Sequence, residues 1–592
     1  MHPIIVLYDA RNRQWLRFSR FRRLVQASTL EEVIPCLEEV ENEVRDDNLY
    51  AAGFLAYEAA NAFDPALATH APDAEFPLLW FALYEKAERL ADIPPPASSC
   101  AGAEKEKEEE ASEWQPSIGE DEYRIALGKI RDYIRTGYTY QVNFTLRLNA
   151  AFNADPWNYF RQLVKVQQAG YPVYIETDDW AVCSASPELF FTVDGDRLIT
   201  RPMKGTIERG RTWEEDMVNK THLLNSRKER AENVMIVDMA RNDLGRIAEA
   251  GSVQVTELFS AEKYPTVWQL TSSVECRTAA DITEIFQALF PAASITGAPK
   301  PWTMGIIKEL EKSPRTIYTG AAGFIAPDSY AQFNVAIRTL LVDKRKKRAM
   351  FGTGGGIVWD SLDAAEYAEW GTKARILHQQ PAPQFSLLET LLWTSEEGFF
   401  LLDRHLQRLE KSADYFDFKL DLKLVRKMLE EETEGLGQGA YKVRLVLSPD
   451  GSPECQATAL ATPSEEKPVC LGIAADNVDS SDVFLYHKTT NRAVYQRAKA
   501  SSPECDDAIL YNENGYITES TIANVVVYSD GEFLTPPVNA GLLNGVFRHY
   551  LVETGRVKEK ALQMEDLRQA EEIYLINSVR KWRPAVLRCQ AE

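Results

Sequence analysis

Residues 181–206, AVCSASPELFFTVDGDRLITRPMKGT, decide the fold class. AVCSASPELFFTV and RLITRPMKGT alternate apolar and polar residues with the period of strands, whereas EEDMVNKTHLLNSRKERAENVMIVDMARNDL (214–244) and EIFQALF (284–290) carry helical periodicity. Strands and helices therefore mix in one region, and the class is α+β. Outward from there, two breaks appear. ASSCAGAEKEKEEEASEWQP (97–116) combines small residues with a charge run and reads as a mobile surface loop. QQPAPQ (379–384) sets two prolines between a helix-like stretch and a new apolar run, FSLLETLLW (385–393). The expected organisation is a first domain over 1–378, a linker over 379–385 and a second domain over 386–592. In the second domain DDAILYNENGYITES (506–520) predicts a hairpin turning at its Asn-Gly.

A chain of 592 residues with 45% hydrophobic and 10% aromatic residues can bury more than one large core. Acidic residues outnumber basic ones by 88 to 66, a net charge of -22, which disfavours nucleic acid and anionic membranes as partners. A small anionic substrate would need local positive groups. Eight scattered cysteines without a CxxC pair indicate neither a zinc site nor a disulfide framework. No apolar run approaches the length of a membrane span or a signal segment, so a cytoplasmic protein is expected.

Glu229 and Glu232 stand three apart in a helical segment, and Glu366, Glu369 and Lys373 repeat the spacing in SLDAAEYAEWGTKARIL. Each pair alone suits a solvated helix face; two pairs facing each other could hold a hard cation such as Mg2+. Glycines gather in FGTGGGIVWD and SITGAPK, where backbone N–H groups could approach an anion, although such strings also simply form turns. Arg338, in the strand-like FNVAIRTLLV, could offer a fork to a carboxylate or be an ordinary edge-strand arginine.

In order, YQVNF, SASPELF, RPMKGTI, KERAENVMIVDMARNDLGR, FPAASITGAPK, YTGAAGF, NVAIRT and GGGIVWDSLDAAEYAEWGTKA resemble the chorismate-utilising enzymes, which include anthranilate synthase, aminodeoxychorismate synthase component I and salicylate synthase. The resemblance runs over roughly 50–378 and implies mixed, largely antiparallel sheets with helices. It makes Lys204, in RPMKGT, the discriminating residue, since anthranilate synthases usually carry alanine there. Amination at C4 of chorismate is implied, with Lys204 attacking C2 while Glu188 protonates the departing hydroxyl. It further implies Mg2+ on Glu229, Glu232, Glu366 and Glu369. Tyr318, Arg338, Thr296 and the amides at Gly354 and Gly356 are implied to receive the substrate. Gln141 stands where the water-adding relatives have a basic lysine, which disfavours hydroxylation. Gln269, where many relatives have histidine, and Gly305, where many have glutamate, depart from the pattern.

Further on, HLQRLEKS, KTTNR, ITESTIANV, GLLNGVFR and INSVRKW resemble the class IV aminotransferase fold over about 385–590. Pyridoxal 5'-phosphate is the implied cofactor. Lys488 would take its aldehyde, Glu519 its pyridine nitrogen, and Arg408, Val546, Phe547 and Ser578 its phosphate, with Gly545 allowing close approach. The first strands usual in that family look shortened. This half alone fits an aminotransferase or 4-amino-4-deoxychorismate lyase equally; fusion to a Lys204-bearing half favours the lyase and a two-step route to 4-aminobenzoate. The alternatives are an anthranilate-forming enzyme joined to a true aminotransferase, or a half kept as a scaffold. No glutaminase signature is present, so a separate glutamine amidotransferase subunit is the expected ammonia source, and the class IV half implies a homodimer.

Overall fold

The computed structural model describes residues 2–94, 113–379, 381, 383–460 and 467–588. Residues 97–112 of the expected loop lie outside these. Its last residues depart from the expectation, because Trp114 is buried among Tyr123, Leu127 and Phe144 and Gln115–Pro116 pairs with the strand Gln141–Ala151. One indole with apolar cover outweighs the polar composition around it.

The chain divides into two compact units, Met1–Glu208 with Lys220–Ala382, and Arg209–Asn219 with Pro383–Glu592. The sequence boundary differs in placing Arg209–Asn219 in the first domain. The segment packs in the second unit, where the Tyr415 hydroxyl donates to the Gly210 carbonyl at 2.7 Å.

Among the described residues of the first unit, 18 strands join in one hydrogen-bonded sheet. Its pairings are antiparallel, as in Arg348–Ile357 against Gln141–Ala151 and Thr339–Asp343 against Trp180–Ser186. One core consists almost wholly of strand side chains, with Phe54, Trp80, Ile175 and Phe324 packed sheet face to sheet face. Helices cover the outer faces. Leu30–Asp46 turns Val33, Leu37, Val40 and Val44 inward at helical spacing, and Glu120–Arg135 does the same with Tyr123, Leu127 and Ile130. The polar alternates of Trp180–Ser186 do not face water, contrary to a half-exposed strand. Ser184 and Ser186 are fully buried, and hydrogen bonds satisfy them, Ser186 donating to Val335 O at 2.6 Å.

A buried ionic knot ties the sheet to the helix Lys300–Leu310. Glu311 accepts from Arg147 at 2.9 Å and Arg315 at 2.7 Å, and Arg315 also donates to the carbonyls of Asn143 and Ile295. Burial would raise the Glu311 carboxyl, but the two guanidiniums bring it down to about 2. Glu311→Gln leaves two buried cations short of their counter-charge and is expected to lower stability by about 3–5 kcal/mol in urea unfolding.

In the second unit, the strand Leu387–Thr394 opens a four-stranded antiparallel sheet, and an eight-stranded sheet mixes parallel and antiparallel pairs. The expected hairpin forms between Asp507–Tyr511 and Ile517–Ser520, with Gly515 at φ +77°. Among the described residues, no helix is long and apolar enough to cross a membrane.

Candidate active sites

In the first unit Lys204 lies on the strand Met203–Glu208, whose register against Val267–Arg277 shifts between Met203 and Thr206. Gly205 has φ +100° at this irregularity, which turns the lysine out of the normal pleat. Its amine and the Gln141 amide meet over Gly356. A Cβ there would lie 2.3 Å from Lys204 Nζ and 2.4 Å from Gln141 Nε2, so any larger residue would displace both. Gln141 is completely buried, and neither its Oε1 nor its Nε2 has a hydrogen-bond partner. Such an amide is poised for a ligand. Glu188 is also buried and accepts from Ser294 Oγ at 2.6 Å. Burial pushes its carboxyl up to about 7, against the opposing pull of the Ser294 hydrogen bond and the Lys204 charge.

The four glutamates converge on the same region from two helices. Glu229, on Arg227–Gly245, packs on Gly205, where a Cβ would lie 3.1 Å from Glu229 Oε2. Glu366 and Glu369, on Asp363–Ala374, reach over Gly355. Burial raises the carboxyls of Glu229, Glu232 and Glu366, and the field of Glu369 raises each further. A cation would relieve both effects. The set is not assembled as a ligand sphere, however: among the described residues no three such side chains could together hold a metal ion. Glu369 is paired with Lys373 at 2.6 Å, and Glu366 accepts from Ser361 Oγ at 2.7 Å.

Arg338 adopts φ 51°, a conformation uncommon outside glycine, and donates to the Lys373 carbonyl. Burial lowers its guanidinium to about 10, and Tyr318 is among the groups that interact with it. Tyr318 packs against the glycine run, since a Cβ on Gly352 would strike its ring at 2.1 Å. Gly354 accepts from Lys373 Nζ at 2.7 Å through its carbonyl. Thr296 is buried, but its hydroxyl donates to Ala292 O and Ala293 O, so its hydrogen closes the local turn.

In the second unit the strand Leu387–Thr394 fixes the Lys488 segment. Leu388 N donates to Lys488 O at 2.9 Å, and Thr490 N to Ser386 O at 2.9 Å. Burial, with Arg408 nearby, lowers the Lys488 amine to about 8. Glu519 is buried and pushed up to about 7; it accepts from Tyr495 Oη at 2.8 Å, Leu543 N at 3.1 Å and Asn524 Nδ2 at 3.2 Å. Val546 and Phe547 open the helix Val546–Glu553 behind Gly545, where a Cβ would sit 2.2 Å from Asn524 Oδ1. The first N–H groups of that helix form an anion cradle. Arg408 turns one edge to it, with Nη1 at 3.5 Å from Asn544 O, while its other edge holds Glu389 at 2.8 and 2.6 Å. Ser578 is buried just after Glu572–Asn577. A reactive buried amine, a buried carboxyl and a helix-terminal cradle fit pyridoxal phosphate.

The profile of the chorismate binding enzymes matches residues 3–379. The chain belongs to that family. Residues 386–587 match class IV amino-transferases. The chain is 42% identical over 271 residues to aminodeoxychorismate synthase component 1 of Klebsiella aerogenes, covering 45% of this chain and 60% of that one. It is 33% identical over 333 residues to anthranilate synthase component 1 of Saccharolobus solfataricus, covering 55% and 79%. The solved anthranilate synthase component I of Streptococcus pneumoniae TIGR4 superposes with TM-score 0.53 at 25% identity, over 64% of this chain and 92% of that one. The chain thus spans about 60% of the length of the first curated relative.

Several residues of this family member's sites escaped sequence reading. Asn233 donates to Lys204 O at 3.3 Å and accepts from Ser272 Oγ at 2.6 Å, so it holds the lysine's own peptide. Its signal was its place on the helix that carries Glu229 and Glu232. Gln269, the departure noted in the sequence, donates to Gly205 O at 2.8 Å and accepts from Thr206 Oγ1 at 2.8 Å, steadying the strand of Lys204. Gly305 faces open space, and nothing in the structure explains it. Glu389 and His405 form the other missed group, His405 Nδ1 lying 2.7 Å from Glu389 Oε2. His405 precedes Arg408 by three on one helix, a spacing that placed both on one face.

Proposed function

We propose that the chain makes 4-aminobenzoate in two steps: amination of chorismate at C4 to 4-amino-4-deoxychorismate, then elimination of pyruvate from that product. The observation that carries this reading is the Lys204 amine set against the unpartnered Gln141 amide, within the field of a buried Glu188. Lys204 Nζ forms a bond to C2 as the C4–O bond breaks, and Glu188 delivers the proton with which the hydroxyl leaves as water. Ammonia then bonds to C4, and the electrons of the C2–N bond return to Lys204. Arg338 and Tyr318 receive carboxylate charge, and Gln141, which cannot act as a base, orients the incoming ammonia. Glu229, Glu232, Glu366 and Glu369 would hold Mg2+, a counter-charge for a substrate carboxylate, once Lys373 and Ser361 release their partners. Relatives designated component 1 support a separate glutamine amidotransferase subunit as the ammonia source.

In the second half Lys488 would hold the aldehyde of pyridoxal 5'-phosphate, Glu519 its ring nitrogen, and Arg408, Ser578 and the amides of Val546 and Phe547 its phosphate. The bound cofactor would supply an electron sink. Glu389 holds the Arg408 guanidinium in place, and Lys488 Nζ moves the proton from the amine-bearing ring carbon as pyruvate departs.

Glu188 acts in its protonated form. With its carboxyl at about 7, kcat/KM for chorismate at fixed free ammonia should fall as pH rises above about 7. The assignment itself is tested by giving the chain chorismate, ammonium, Mg2+ and pyridoxal phosphate. Release of 4-aminobenzoate supports it; release of anthranilate, as the similarity to anthranilate synthases would allow, overturns it.

A further inference from the structure

Glu188 must regain a proton after every turnover. Because Lys204 is returned as it entered, chorismate plus ammonia plus the Glu188 proton gives water and a product ammonium, and Glu188 is left ionised. Its side chain is held by the Ser294 hydroxyl and the Met203 backbone, and Glu188 and Ser294 keep only 4% and 7% of their surface exposed. The structure offers a route to it. A cavity of about 20 Å³ is lined by Glu188, Ser294, Thr200 and Asp243, with Ile236 and Ala240 as apolar walls. That volume admits a single water, and the lining provides the polar partners such a water needs. Asp243 also lines a separate open groove of about 750 Å³, together with Asp238, Asn242, Arg246 and Lys300. Asp243 is thus the carboxylate common to the small cavity and the large groove. Its side chain is 14% exposed and pairs with Lys300 Nζ at 2.9 Å.

We propose that Asp243 is the relay through which solvent protons reach Glu188, across the small cavity, to re-arm the acid of the chorismate site. The proposal rests on the reading of Glu188 as that acid. Atoms balance: one proton enters at Asp243 from the groove, one passes through the cavity to the Glu188 carboxylate, and none is consumed elsewhere. The charged groups around the path are Lys204 at the Glu188 end, and Lys300, Arg246, Asp238 and Asp64 at the groove end.

The test follows chorismate consumption by the full chain with Mg2+ and saturating ammonium, in H2O and D2O. Asp243→Asn should lower kcat about tenfold or more, leave the chorismate KM unchanged and raise the solvent isotope effect. Formate should restore part of the loss in Asp243→Ala. Lys300→Met removes the ion pair but keeps the carboxylate, and should stay within about threefold of the parent protein. Ala240→Val narrows the cavity while leaving the ion pair, and should mimic Asp243→Asn should that variant not fold. Wild-type kcat and isotope effect in Asp243→Asn, or in Ala240→Val, overturns the relay. So does equal loss in Lys300→Met and Asp243→Asn without rescue by formate, which marks a structural role. Glu188→Gln separates the two levels. If it retains activity, the acid assignment itself fails; if it is inactive while Asp243→Asn is normal, only the relay fails.

Discussion

Lys204→Ala is expected to lose amination at C4, with the rate of chorismate consumption falling about 10³-fold or more. Removing the amine takes away the nucleophile at C2, and neither neighbour can substitute for it. Gln141 has no basic nitrogen, and Glu188 is placed to give a proton rather than to form a bond. Folding should survive, because the strand is held by backbone pairing with Val267–Arg277 and by Asn233 and Gln269, which bond to main-chain carbonyls at Lys204 and Gly205. An unchanged melting temperature beside a lost rate would locate the effect in chemistry. A variant that kept making 4-aminobenzoate at the parental rate would remove Lys204 from the mechanism.

Lys488→Ala should have an equally large effect on the second step and almost none on the first. The visible absorbance of protein incubated with pyridoxal phosphate should disappear with the amine that would bond its aldehyde, and 4-aminobenzoate formation should fall about 10³-fold or more. The lowered Lys488 pKa, near 8 through burial and the neighbouring Arg408, leaves about a tenth of the amine neutral at pH 7, the form that bonds an aldehyde, far more than an unperturbed lysine would. Chorismate consumption should continue at the parental rate. If consumption stopped as well, the two halves would not act as separate steps.

Much of this was legible in the sequence because motif residues lie on regular elements. Glu229 and Glu232 fall on one helix face and Glu366 and Glu369 on another, as their spacing requires. The α+β class and the hairpin at Gly515 follow from periodicity and turn chemistry. What stayed hidden depends on tertiary approach. Ser294 meets Glu188 across 106 residues, and Asn233 reaches the Lys204 carbonyl across 29. The register shift beside Gly205 has no signature in composition, yet it aims the lysine. Thr296 shows the converse, a motif residue whose hydroxyl hydrogen closes a turn. Arg408 read as a free phosphate clamp, whereas Glu389 takes one edge of its fork and leaves the other for the cradle. The alternation in Trp180–Ser186 cannot display that its serines are buried on hydrogen bonds.

The most direct measurement of the two-step claim is the mass and identity of what Lys488→Ala protein accumulates from chorismate, Mg2+ and 15N-labelled ammonium. The proposed route requires a single product carrying one 15N, 4-amino-4-deoxychorismate, which unmodified protein then converts to labelled 4-aminobenzoate. Labelled anthranilate in its place, or consumption of chorismate without any aminated intermediate, would contradict it.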